Sequence, residues 1–203
     1  MLDDRSVSVH CFTLMPRPKF QLVCFPPAGE GMSYYRSISE ALAPSTEVLS
    51  VQYPQSAPEP AGGDALQSPA PAHLIAETLV DRLDSPTVLF GQGLGATVAF
   101  EVAQTLELTF LLNDRSGGRL AALLVSSQPA PCHSLAKDAA ITCPIGVFLG
   151  DADPCLSYDE ATAWAYHSKE RFDCQMLHGG KDYFRDRPTE LVNAISDYLL
   201  MLG

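Results

Sequence analysis

Positive charge is scarce in this sequence. Thirteen lysines and arginines face 24 aspartates and glutamates over 203 residues, a formal net charge of -11. Nucleic-acid binding draws on clustered basic side chains that displace counterions from phosphates, and no such cluster is present. The same shortage argues against attraction to an anionic membrane surface. Long apolar runs are also lacking, and none reaches the ~18 residues of a membrane span. The opening MLDDRSVSVHCF carries two acids and no apolar stretch of signal-peptide length, so a cytoplasmic location is expected. Cys11, Cys24, Cys132, Cys143, Cys155 and Cys174 form no C-x-x-C pair. That spacing excludes a zinc knuckle or a redox motif. No metal and no cofactor are expected. Most of these cysteines lie in apolar runs, as in LVCF around Cys24, and read as reduced, buried small side chains.

What is present is an ordinary apolar share, 46%, with only 18% charged residues. That balance supports a packed core and argues against a disordered tail or a solvated coiled coil. The length predicts a single domain over residues 1–203. Strand-length apolar runs are predicted at 6–15, 20–25, 47–53, 87–90, 119–127, 145–149 and 172–177. Helical spacing is predicted over 32–42, 72–83, 94–106, 158–167 and 189–202. Residues 54–71, rich in Pro, Ala and Gly, read as a loop inside the domain. Alternating strand and helix implies an α/β fold, a mainly parallel central sheet flanked by helices with right-handed crossovers.

The most specific segment is VLFGQGLGATVAFEVAQ, residues 88–104. A buried strand runs into Gly91-Gln92-Gly93-Leu94-Gly95 and then into a helix. Flanking glycines permit a sharp strand-to-helix turn, the geometry of a nucleophile elbow, G-x-S-x-G. Here Gly93 stands at the serine position. A dinucleotide fingerprint is the rival reading. Its third small residue, Ala96, is out of place, and no acidic residue closes a βαβ unit ~20 residues on.

With these residues in view, the whole chain resembles the type II thioesterases of nonribosomal peptide and polyketide pathways, which are α/β hydrolases. The resemblance rests on LVCFPPAG (22–29), VQYP (51–54), the elbow followed by AFEVA (99–103), CPIGVFLGDADP (143–154) and HGGKDYFRDRP (178–188). It implies an α/β-hydrolase fold, and it implies a triad of which only the acid, Asp153, survives. The nucleophile falls on Gly93 and the histidine on Lys181. A glycine offers no nucleophile, and a protonated lysine is no base. The loop after VQYP, Pro54-Gln55-Ser56, lacks the family's arginine. Only residues 128–144 stand where the family inserts a helical lid, so the lid is expected to be reduced or absent.

The resemblance also implies backbone oxyanion donors at Ala28 and Leu94, with Pro27, Gln92, Ser127, Tyr183 and Phe184 as pocket candidates. Such donors stabilise any developing oxyanion, an enolate included. Lys181 is expected to pair with Asp153, either as a structural remnant or as a tuned proton-transfer group. Cys132, Cys155 and His178 are the other reactive types near strand ends. Ser126 and Ser127 read as satisfying local backbone. Tyr34 and Tyr35 are further pocket candidates, while Trp164 and Tyr166 read as helix-on-sheet packing. Residues 182–187 read as a solvated charged loop that could also contact a partner.

Three readings of function stand. The site is repurposed for cyclisation, elimination or isomerisation of a pathway intermediate; or the protein is a catalytically dead binding or scaffold partner; or it keeps residual thioesterase activity. The implied partner is an acyl or peptidyl carrier protein, or a released small-molecule intermediate. An uncovered site face would favour a homodimer or a hetero-complex.

Overall fold

Neighbouring side chains along a strand point to opposite faces, and both faces are apolar here. The computed structural model describes residues 7–27, 29–53, 71–113, 119–131 and 140–203. Ala28, Pro54-Gln55-Ser56 and Cys132 lie outside the described residues, as do most of the loop at 54–71 and the middle of the 128–144 link. The strands are β1 (Ser8–Cys11), β2 (Phe20–Phe25), β3 (Thr46–Gln52), β4 (Thr87–Gln92), β5 (Leu120–Ser126), β6 (Ile145–Gly150) and β7 (Phe172–Leu177). The helices are α1 (Arg36–Leu42), α2 (Ala72–Val80), α3 (Leu94–Asn113), α4 (Tyr158–Thr162), the single turn α5 (Tyr183–Asp186) and α6 (Pro188–Leu202).

The seven strands form one sheet in the order β1-β3-β2-β4-β5-β6-β7. Only β1 runs antiparallel, against β3; the other pairs are parallel. Val23, Phe25, Leu89, Val125 and Val147 face α2 and α3 in one core. Leu22, Cys24, Val88, Phe90 and Leu124 face α1 and α6 in the other. Each fully buried aliphatic side chain is worth roughly 1.5–3 kcal/mol, so the sheet is anchored from both sides. From β2 the chain moves outward to β3 and then returns across β2 to β4. Ligands of open α/β sheets bind at such a reversal, in the crevice beyond the carboxyl ends of the strands. The ends of β2 and β4 flank that crevice.

Several predicted boundaries shift, for physical reasons. The expected strand over 6–15 pairs only as Ser8–Cys11. Beyond it the Met15 N–H bonds the Glu47 side chain at 3.0 Å, out of the ladder. β4 continues through Gly91 to Gln92 because both pair with β5. The helix expected at 158–167 is α4, opened by a Ser157–Glu160 capping box, followed by a 3-10 turn over Ala163–His167. The charged loop at 182–187 includes α5, whose Tyr183 and Phe184 are buried. Trp164 packs edge-on to Phe100, as expected, whereas Tyr166 is 72% exposed and does not pack the helices on the sheet. Cys24 and Cys143 are buried, but Cys155 is exposed.

The described ends of the 128–144 link are tied to the 3-10 turn. Trp164 Nε1 donates to the Gln128 carbonyl at 2.9 Å, and the Ile141 N–H bonds the His167 carbonyl at 3.0 Å.

Candidate functional site

The elbow keeps its geometry without its nucleophile. Gly93 has φ +53°, in the left-handed region, and the nearest atom to a Cβ built there is Pro27 Cβ, 3.7 Å away. Pro27 therefore borders the position, and no other described residue comes within 4 Å of that Cβ. The Gly93 N–H bonds the Ser126 carbonyl at 2.9 Å, fixing the turn to β5. A Cβ on Gly95 would overlap the carbonyl oxygens of Phe25 and Pro26, and one on Gly91 would overlap the Ala96 backbone. Both flanking glycines are sterically required, whereas the central residue is not confined. Leu94 is the first residue of α3, and first-turn N–H groups have no acceptor within their own helix.

On the other side of β4 lies a pair that sequence reasoning did not connect. Gln92 is 4% exposed, and its Oε1 accepts the Tyr34 hydroxyl at 3.0 Å. Tyr34 packs edge-on against Tyr35 and Phe184, with centroids 4.9 and 5.1 Å away. Burial, helped by the Asp182 charge, pushes the Tyr34 phenol up to about 12. The Glu30 carboxylate and Arg185 guanidinium form an ion pair beside these rings. Tyr35 is fully buried and bonds the Phe25 carbonyl, so it is core rather than pocket.

The acid and lysine positions do not meet as expected. Asp153 Oδ1 accepts the Cys155 N–H at 2.8 Å, while Oδ2 is buried with no partner among the described residues. Lys181 is exposed and forms no ion pair with Asp153 within 4.0 Å. A strongly hydrated ammonium on a four-carbon stem gains little by burial beside one carboxylate, so solvent wins. The Lys181 backbone does dock on the site, its carbonyl accepting Ser127 Oγ at 3.3 Å.

Tyr183 is buried beside these loops. Its hydroxyl lies 2.5 Å from Ser126 Oγ, it is 1% exposed, and burial raises its pKa strongly. The Asp153 charge adds to that rise. Ser127 takes φ +49°, a left-handed conformation that costs a non-glycine residue about 1–2 kcal/mol. Tyr183 and Phe184 are thus core anchors under the site rather than pocket walls. The Ser126–Tyr183 and Tyr34–Gln92 pairs join residues 57 and 58 positions apart, so no local pattern announces them.

His178 lies outside this cluster. It is exposed, with Nδ1 2.9 Å from Glu190 Oε1, and its backbone N–H bonds the same oxygen at 3.0 Å. A cleft of about 910 Å³ is lined by Glu107, Leu111, Arg119, Leu120, Pro144 and Lys169. It sits at the amino ends of β5 and β6, away from Gly93.

A mainly parallel sheet, an elbow from β4 into α3 and an acid in the turn after β6 define an α/β-hydrolase frame. A thioesterase-domain family profile matches residues 20–142, more than half of the chain. The chain belongs to that thioesterase family. Thioesterase PikA5 of Streptomyces venezuelae is 30% identical over 254 aligned positions, covering 98% of this chain and 87% of the relative. That alignment is longer than the chain's own 203 residues, so the relative carries segments that this chain lacks. A probable cadicidin biosynthesis thioesterase of Streptomyces griseus is 28% identical, over 85% of this chain and 60% of its own length. Among solved structures, the type II thioesterase BorB from the borrelidin biosynthetic cluster superposes with TM-score 0.78 and 27% identity, covering 94% of this chain and 95% of BorB.

Proposed function

We propose that this protein is a thioesterase-fold component of a polyketide or nonribosomal peptide pathway that binds acyl or peptidyl thioesters on a carrier protein without hydrolysing them. The observation that carries this reading is the elbow at Gly93, which has no nucleophile and, among the described residues, meets only Pro27 at the position of a side chain, with Lys181 exposed and not paired with Asp153. The names of the relatives support the pathway assignment. Cyclisation, elimination or isomerisation at the same site is the second reading. It is favoured by the Leu94 N–H at the start of α3, because a donor placed there stabilises an enolate as well as a tetrahedral adduct. The working location is cytoplasmic. The partner face is the site rim, met by a carrier protein or by a second copy, which light scattering and carrier pull-down distinguish.

The test is a pair of assays on the wild-type protein and on Gly93→Ser. Wild-type protein is expected to bind acyl-loaded carrier protein and to leave the thioester intact. Gly93→Ser is expected to remain inactive, since a serine without a base gains little. Turnover by the wild type at the rate of an active relative, or recovery by Gly93→Ser alone, would overturn the reading.

A further inference from the structure

We propose that the carboxamide of Gln92, oriented by the Tyr34 hydroxyl, is a hydrogen-bond donor to the carbonyl oxygen of a thioester seated over Gly93. This rests on the function proposed above and names the group that holds the ligand where no nucleophile stands. Gln92 ends β4, and the alternation of that strand places it with Val88 and Phe90 on the α1 and α6 side. There its Oε1 takes the Tyr34 hydroxyl at 3.0 Å. A carboxamide carries its acceptor and its two donors on opposite branches, so fixing Oε1 fixes where Nε2 points. Nε2 has no hydrogen-bond partner among the described residues and is not one of the fully buried unpartnered atoms, so it stays open to solvent and to an entering ligand. A carbonyl oxygen arriving there replaces water on that donor, for the modest net gain of one exchanged hydrogen bond.

The orientation is rigid. Tyr34 is wedged against Tyr35 and Phe184, and the Glu30–Arg185 ion pair ties the loop after β2 to α5. Burial keeps the phenol protonated, so it donates and leaves Gln92 Oε1 as the acceptor. Beside this amide, Gly93 presents no side chain and Pro27 approaches no closer than 3.7 Å to a built Cβ. The Gln92 amide donor is uncharged, so a thioester or ketone carbonyl oxygen matches it.

The experiment compares butyryl-pantetheine, labelled with carbon-13 at the thioester carbonyl, with the S-butyl thioether, which lacks that oxygen. Wild-type protein is expected to bind the thioester about tenfold more tightly than the thioether, one hydrogen bond's worth, and to lower the carbonyl stretching frequency. Gln92→Glu, of the same shape but without the amide donor, and Gln92→Leu are each expected to abolish that preference. Tyr34→Phe, which removes only the positioning contact, is expected to weaken the frequency shift. A preference and a frequency shift that survive both Gln92 variants overturn this assignment and leave the proposed function standing. A shift unchanged in Tyr34→Phe overturns the positioning role. Wild-type protein that binds neither probe overturns both the assignment and the function on which it rests.

Discussion

Gly93 and Gly95 stand two positions apart and respond to an added methyl group for different reasons. At Gly95 a Cβ meets the carbonyl oxygens of Phe25 and Pro26, backbone that cannot move without breaking the β2–β4 pairing. Gly95→Ala is therefore expected to cost about 3 kcal/mol or more, or to prevent folding. At Gly93 there is room, and the penalty is only that of φ +53° for a residue with a side chain, about 1 kcal/mol. Denaturant melts of the two alanine variants check the contrast. Equal costs would mean that the elbow is not packed as described. Both glycines were legible in the sequence as a turn, but their unequal roles were not. That difference depends on which backbone passes close by, and Phe25 is 70 residues away from Gly95.

At the scale of elements, strands were more legible than helix ends. β2 and β7 fall where predicted because their apolar runs are bounded by turn residues. α3 runs on to Asn113, beyond the predicted end at 106. Its last turns expose Leu108, Leu111 and Leu112 while Phe110 packs partly buried against the core, so the apolar residues there do not share one buried face. Leu106 is fully buried, and Leu106→Ala is expected to cost about 2–5 kcal/mol. Leu111→Lys should stay within about 0.5 kcal/mol of wild type by the same melts.

The junction of β7 with α6 adds a pH dependence. The Glu190 carboxylate, through its hydrogen bond and charge, raises His178 above 6.5. Glu190 itself falls below 4.5, chiefly through the His178 backbone N–H and then its side chain. The histidine contribution is complete below pH 6.5 and fades as pH rises through its raised value. The carboxylate contribution is present above pH 4.5 and fades as pH falls through its lowered value. The gap in melting temperature between wild type and His178→Ala should be widest between pH 4.5 and 6.5. It should narrow toward about pH 8. A gap independent of pH would remove the pair from the stability of this junction.

For the molecule as a whole, fold class and family followed from motif order, because each motif sits at a strand end that the sheet brings to one edge. The contact expected between Asp153 and Lys181 is not made. Sequence places Asp153 and Lys181 in adjacent loops, but Lys181 is exposed and does not pair with Asp153, while the buried Tyr183 bonds Ser126 and feels the Asp153 charge. The link between the Glu30 loop and α5 carries a different consequence. Glu30 with Arg185 and Tyr34 with Phe184 join residues about 150 positions apart, and such long-range closures come late because the chain entropy must be surrendered first. During synthesis, β2, β4 and the elbow can all be in place while this side of the site still gapes. Only when α5 has left the ribosome can Tyr34 be clamped and Gln92 set. On the role proposed for Gln92, binding competence then waits for α5, and a nascent chain halted before Tyr183 is expected not to bind the thioester.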